Sequence, residues 1–228
     1  MLTLLAALAL HSSDFISAVS PPIELVRVEG HGRMPGFAIG KYEITQDQFE
    51  DFISATQYDG SDKPSSKPSE SFLQDWAGGK PKPGFERFPV AYVNWHHAKA
   101  FCRWLSKKAG RSIRLPSDAE WTLAASGLEG RTYPWADEWD SRKCNWGGDD
   151  DGFSEAAPVG SFPRGATPTG IHDMAGNIWE WSAEGNLRGG PWCMGPESVK
   201  AATIAREDQD RCDDKFGLRI VVKLPSSR

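Results

Sequence analysis

Leu115-Pro116-Ser117-Asp118-Ala119-Glu120-Trp121 divides the chain into two parts of different character. Ser117 offers a side-chain oxygen to a helix N-terminus, and Glu120, three residues on, completes a capping box. Trp121, Leu123 and Ala124 then supply inward-facing positions, so a helix starts here. Toward the N-terminus the same logic finds two more. Asn94 precedes Ala98, Phe101, Cys102, Trp104 and Leu105, with Gly110 as the stop. Thr45 precedes Gln48, Phe49, Phe52 and Ile53, with a stop by Tyr58-Asp59-Gly60. Glu24 to Val28 alternates apolar and polar residues and predicts a strand, as does Phe37 to Ile44. Residues 59–88 are rich in Pro, Gly, Lys and Ser and read as a long surface loop. Toward the C-terminus no long helix follows Gly127. Turn formers cluster at Tyr133-Pro134-Trp135, Gly147-Gly148, Pro163-Arg164-Gly165 and Gly189-Gly190, until a last strand over Phe216 to Val222. The economical reading is one continuous α+β domain over residues 21–228.

Composition agrees. The chain has 228 residues, of which 39% are hydrophobic and 25% charged, and a net charge of −5. A chain of this length buries about 70–75% of its unfolded surface and needs no cross-links to hold a core. The mildly acidic balance argues against nucleic-acid binding, which needs clustered Lys and Arg. Four cysteines are too few for a disulfide scaffold. Ten Trp, 23 Gly and 16 Pro suggest short strands and long, structured loops.

The run Met1 to Leu10 is too short to span a bilayer, and no other stretch reaches spanning length. It reads either as the apolar region of a secretory signal, with no Lys or Arg before it, or as a segment packed on the domain. Residues 1–20 are set apart on that ground. The first alternative implies a periplasmic or secreted protein, the second a cytoplasmic one.

An ordered set of motifs resembles the sulfatase-modifying-factor family, which contains the formylglycine-generating enzymes. The motifs are Gly40 to Gln46, Pro89 to Trp95, Arg114 to Trp121, Tyr133-Pro134-Trp135, Pro158 to Phe162, Asp173 to Trp181, Arg188-Gly189-Gly190 and Gly217-Leu218-Arg219. They cover roughly residues 37–222 in family order. The resemblance implies a single C-type-lectin-like domain with much irregular structure. Fold does not fix chemistry, so the site is read residue by residue.

Formylglycine generation, as the resemblance implies it, oxidises a substrate cysteine at copper(I) held by two thiolates, soft ligands suited to that ion. In the family those cysteines follow Arg-Gly-Gly and stand five residues apart. Here Cys193 comes one position early, the position five beyond it is Ser198, and the next cysteine is Cys212. Pro191 replaces the small hydroxyl residue that usually follows the glycines. Cu(I) is therefore not expected. Cys193 and Cys212 flank a stretch returning to the last strand, so a disulfide between them, a rearranged copper pair, and two unrelated thiols all remain open. Cys102 reads as a buried thiol. If a site exists, the matching groove would be floored by Cys193, Ser198 and Cys212 as catalytic positions, with Trp192 and Arg206 as cofactor contacts. Arg206 and Arg219 have a plainer alternative as buried arginines that bind carbonyls.

Calcium is expected. Carboxylates and carbonyls in a Gly-containing loop suit it. The resemblance implies one ion held by Asn145 and Asp151 through side chains, with Trp146 and Phe153 through carbonyls. It implies a second at Asp173, Gly176, Ile178 and Glu180. The alternatives are a solvated turn over Asp149 to Asp151 and internal pairing of Glu180. His96 and His97 are adjacent and cannot form a metal pair alone, and His172 reads as structural.

These readings favour a family protein without the twin-cysteine site, acting as a lectin-fold module for a protein or peptide ligand or as a divergent enzyme. The copper-dependent oxidase is the alternative. A hypervariable display protein would fill its C-terminal loops with Asn and Tyr, whereas residues 186–219 hold one Asn and no Tyr.

Overall fold

In the computed structural model, residues 15–61, 71–148 and 151–224 are described, so the apolar run at residues 1–10 and the Asp149-Asp150 pair lie outside the described residues. The three helix starts appear where the caps predict them. Helix α1 spans Gln46–Thr56, α2 Trp95–Ala109 and α3 Asp118–Ser126. At α1, the Gln48 side chain accepts from the Thr45 N–H at 3.1 Å. At α3, Ser117 Oγ accepts from the Glu120 N–H at 3.1 Å, and Glu120 accepts in return from the Ser117 N–H at 2.9 Å. Helix α2 uses a less common partner. Asn94 Oδ1 accepts from the His97 N–H at 2.9 Å, and His97 Nδ1 accepts from the Asn94 N–H at 3.2 Å. That second bond leaves Nδ1 unprotonated, so the proton sits on Nε2, which faces the Gly60 carbonyl at 3.3 Å.

Among the described residues nine short strands form two sheets: β1 (Phe15–Ile16), β2 (Ile23–Val28), β3 (Phe37–Gly40), β4 (Ile113–Arg114), β5 (Trp179–Trp181), β6 (Asn186–Arg188), β7 (Ala205–Arg206), β8 (Phe216–Gly217) and β9 (Val221–Lys223). One sheet runs β1-β2-β3-β9-β4, antiparallel throughout. The other runs β7-β6-β5-β8, with β5 and β8 parallel.

Successive side chains of a strand point to opposite faces, and β3 and β9 are buried on both. Ala38 and Val222 join a core with Phe49, Phe52, Phe101 and Leu105 of α1 and α2. Phe37, Ile39 and Val221 instead meet Trp121, Ala124 and Ala125 of α3. The first sheet is thus a middle layer between two helical layers. The Phe49 and Phe101 rings stack at 5.2 Å between centroids, 14° from parallel.

Two strand expectations are corrected. The strand from Phe37 stops at Gly40, because the chain must turn to reach the α1 cap. The last run, Phe216 to Val222, is not one strand. Phe216–Gly217 pairs with β5 and Val221–Lys223 with β3 and β4, so Leu218 to Ile220 cross between the sheets. Leu123 is only half-buried, whereas Trp121 and Ala124 are buried as expected.

Asn94→Ala removes the α2 cap and the bond from Asn94 Nδ2 to the Asp210 carbonyl. Urea unfolding of that variant should show a loss of about 1–2 kcal/mol.

Candidate functional site

Where the sheets meet, Arg219 is fully buried between β8 and β9. Its Nη2 donates to Glu180 Oε1 on β5 at 2.7 Å, and its Nε donates to Glu180 Oε2 at 3.0 Å. The same guanidinium reaches the Gly40 carbonyl at 2.8 Å and the His172 carbonyl at 3.0 Å. Glu180 also accepts from Trp121 Nε1 at 2.8 Å. Arg219 is therefore the carbonyl-binding arginine of the plainer alternative. Glu180, expected as a calcium ligand, has a permanent cation as partner and both oxygens engaged. Asp173, beside it, accepts from the Gly160 N–H at 2.7 Å. Burial, followed by the Asp173 charge, pushes the Glu43 carboxyl well above its usual range, and burial raises Asp173 to about 6. Of the second expected quartet, Glu180 is thus paired with Arg219, and Asp173 lies buried within reach of both charges.

The first quartet presents a different picture. Asn145 is buried and donates through Nδ2 to the Glu155 carbonyl at 2.9 Å and to Asn177 Oδ1 at 3.1 Å. Its Oδ1 is buried and has no hydrogen-bond partner among the described residues. One residue on, the Trp146 N–H donates to Asp151 Oδ2 at 2.8 Å, and the Phe153 N–H donates to Asp151 Oδ1 at 3.0 Å. An orphaned amide oxygen next to a folded-back carboxylate suits a hard cation, which takes oxygen donors from side chains and carbonyls together. Gly176 packs against this segment with φ +77°, and a Cβ there would strike the Asn145 carbonyl.

The residues expected at the groove floor do not converge. Trp192 alone lines a cleft of about 250 Å³, with Gln46, Asp75, Lys82, Tyr92, Glu155 and Asp214. Cys193 is exposed just beyond it, its carbonyl packed against Gly147. Ser198 is half-buried and turns its carbonyl toward Gly190. Arg206 is exposed on β7, so the buried-arginine reading does not hold for it. Cys212 packs its thiol 3.7 Å from His97 Nδ1. No disulfide joins Cys193 and Cys212, so of the alternatives the bridged one finds no support in this arrangement. The reason is local: the Asn94–His97 cap draws Cys212 to the start of α2, while Cys193 stays on the Gly147 loop.

The cleft has an acidic cast that the sequence hid. Asp75, Glu155 and Asp214 face it with one lysine, Lys82. Burial raises the Asp75 carboxyl, and burial with the neighbouring Asp213 raises Asp214. Gln46 is buried with Oε1 unpartnered among the described residues, as is Asp75 Oδ1. The lining draws on segments spread from Gln46 to Asp214, and no local motif marks them as neighbours. Trp179 and Trp181 are buried and serve as packing residues.

The family described as "Sulfatase-modifying factor enzyme 1-like domain" matches residues 26–224. The chain belongs to the sulfatase-modifying-factor family. It is 34% identical over 155 residues to the inactive C-alpha-formylglycine-generating enzyme 2 of Bos taurus, a match covering 58% of this chain and 49% of that one. It is 39% identical over 109 residues to the formylglycine-generating enzyme of Thermomonospora curvata, covering 42% of this chain and 33% of that one. The chain thus spans about half or less of the length of these curated relatives. Among solved structures, PvdO from Pseudomonas aeruginosa superposes with a TM-score of 0.69 at 22% identity, covering 90% of this chain and 95% of that one. The fold is accordingly the family's C-type-lectin-like α+β domain. Among the described residues no helix is long and apolar enough to cross a membrane.

Iodoacetamide should label Cys193 of the native protein promptly without prior reduction. Cys102 and Cys144 should stay unlabelled until unfolding, because burial pushes the Cys102 thiol up to about 12 and raises Cys144 as well. Peptide mapping by mass spectrometry reads both outcomes.

Proposed function

We propose that this sulfatase-modifying-factor-family protein is a lectin-fold binding module that takes a protein or peptide ligand at the Trp192 cleft and does not generate formylglycine. The observation that carries the reading is the separation of roles at the cysteines. Cys193 stands exposed with Ser198 five residues beyond it, while Cys212 is turned to His97. A copper(I) site needs two thiolates within reach of one ion. These residues do not fit that group, and no step is derived through it. The cleft itself offers the Asp75 and Glu155 carboxylates and an unpartnered amide oxygen, a lining suited to a cationic side chain on a peptide, while Asp214 and the Trp192 ring already face Lys215.

Calcium fits the first quartet. Asn145 Oδ1 and Asp151 would hold it, with the carbonyls of Trp146 and Phe153. Its role there is structural: the Asn145 segment carries Glu155 into the cleft wall through the Asn145 Nδ2 to Glu155 carbonyl bond. A ligand bound only by the native state stabilises that state. Adding EGTA should therefore lower the melting temperature by several degrees, and Asn145→Ala should abolish that response; an unchanged melting temperature would remove calcium from the account.

Copper(I) titration of the reduced protein, beside Cys193→Ser and Cys212→Ser variants, tests the functional reading. Weak binding, equal in all three proteins and without oxidation of a cysteine-containing peptide, is the expected result. Tight stoichiometric binding lost in either variant would restore the oxidase.

A further inference from the structure

A second concavity, of about 590 Å³, lies on the outer face of α2, away from the Trp192 cleft. Its volume is within the range of small-ligand sites, about 300–1,000 Å³. The floor is mostly apolar, built from Cys102, Ile113, Leu115 and Ala183. The rim carries Lys99, Arg103, Lys107 and Arg114, and no acidic residue lines it. That is unusual placement in a chain of net charge −5. Arg114 is neutralised from outside the concavity by Glu120, at 2.6 Å and 2.7 Å. Lys99 is held over the Trp95 ring at 3.6 Å, which fixes its ammonium at the rim. Long basic side chains can lay their stems along apolar surface and keep their charges at its edge. An apolar trough beneath a cationic rim is the complement of an anionic head on an apolar tail.

We propose that this concavity binds a single-chain organic anion, an unbranched medium-length carboxylate whose tail lies over Cys102, Ile113 and Leu115. Its head would meet Arg103 and Lys107, which stand one α-helical turn apart at i and i+4 on the same face. The site is independent of the cleft reading: it shares no lining residue with the Trp192 cleft and uses none of the calcium ligands.

Isothermal titration of the full chain with monomeric decanoate tests the proposal, with hexanoate and decyltrimethylammonium as comparisons. One decanoate should bind per chain, more tightly than hexanoate, since each added methylene withdraws apolar surface from water. The cationic amphiphile should not bind. Arg103→Glu with Lys107→Glu, both exposed positions, should weaken decanoate binding by about tenfold or more. Bound decanoate should also slow alkylation of Cys102 in mild urea, a readout tied to the floor. Equal binding of both amphiphiles, or indifference to the double substitution, would overturn the proposal. So would association with phosphatidylglycerol vesicles without binding of monomeric decanoate, which would make the basic face a membrane contact.

Discussion

The buried Arg219–Glu180 pair is the constraint on which the rest of the fold depends. Neither side chain has any solvent exposure, and each would be costly to bury alone. Together with the Gly40 and His172 carbonyls and the Trp121 indole, they join both sheets and α3 around one charge. Leu218 to Ile220 leave one sheet and enter the other where Arg219 enters this network. With so little regular secondary structure, the protein uses this polar node where other folds use long helices or wide sheets.

That node also shapes the site. Glu180 is committed to Arg219, and the carboxylates beside it, Asp173 and Glu43, are raised chiefly by burial and further by Glu180's negative charge. The Asn145 segment packs on the same strand-turn unit through Asn177, whose amide donates to Glu43 at 3.0 Å. From there Glu155 is carried to the Trp192 cleft. The cysteines belong to a different logic. Cys212 follows the α2 cap and Cys193 the Gly147 loop, so two thiols 19 positions apart in the chain are held by separate elements.

Much of the fold was legible in residue order. All three caps could be read, since Thr45, Asn94 and Ser117 act through bonds only a few residues long. The broken terminal strand was not, because the break at Leu218 to Ile220 depends on where Arg219 finds Glu180, 39 residues away. The candidate site was less legible. Absence of a cysteine five residues after Cys193 is a sequence fact, legible without any structure. The acidic cleft was invisible, because Gln46, Asp75, Glu155 and Asp214 meet only after folding. The exposure of Arg206 was equally hidden, because it follows from β7 being an edge strand.

The most direct test of this account is a double-mutant cycle on Glu180→Gln and Arg219→Met, read by equilibrium unfolding at neutral pH. If the pair is the node, each single change leaves a buried polar partner unmatched, and Arg219→Met, which strands the Glu180 charge, should cost about 3–5 kcal/mol. The double variant should then lose clearly less than the sum of the two. Two small and additive losses would contradict the account, and the joint between the sheets would have to be sought in the apolar core instead.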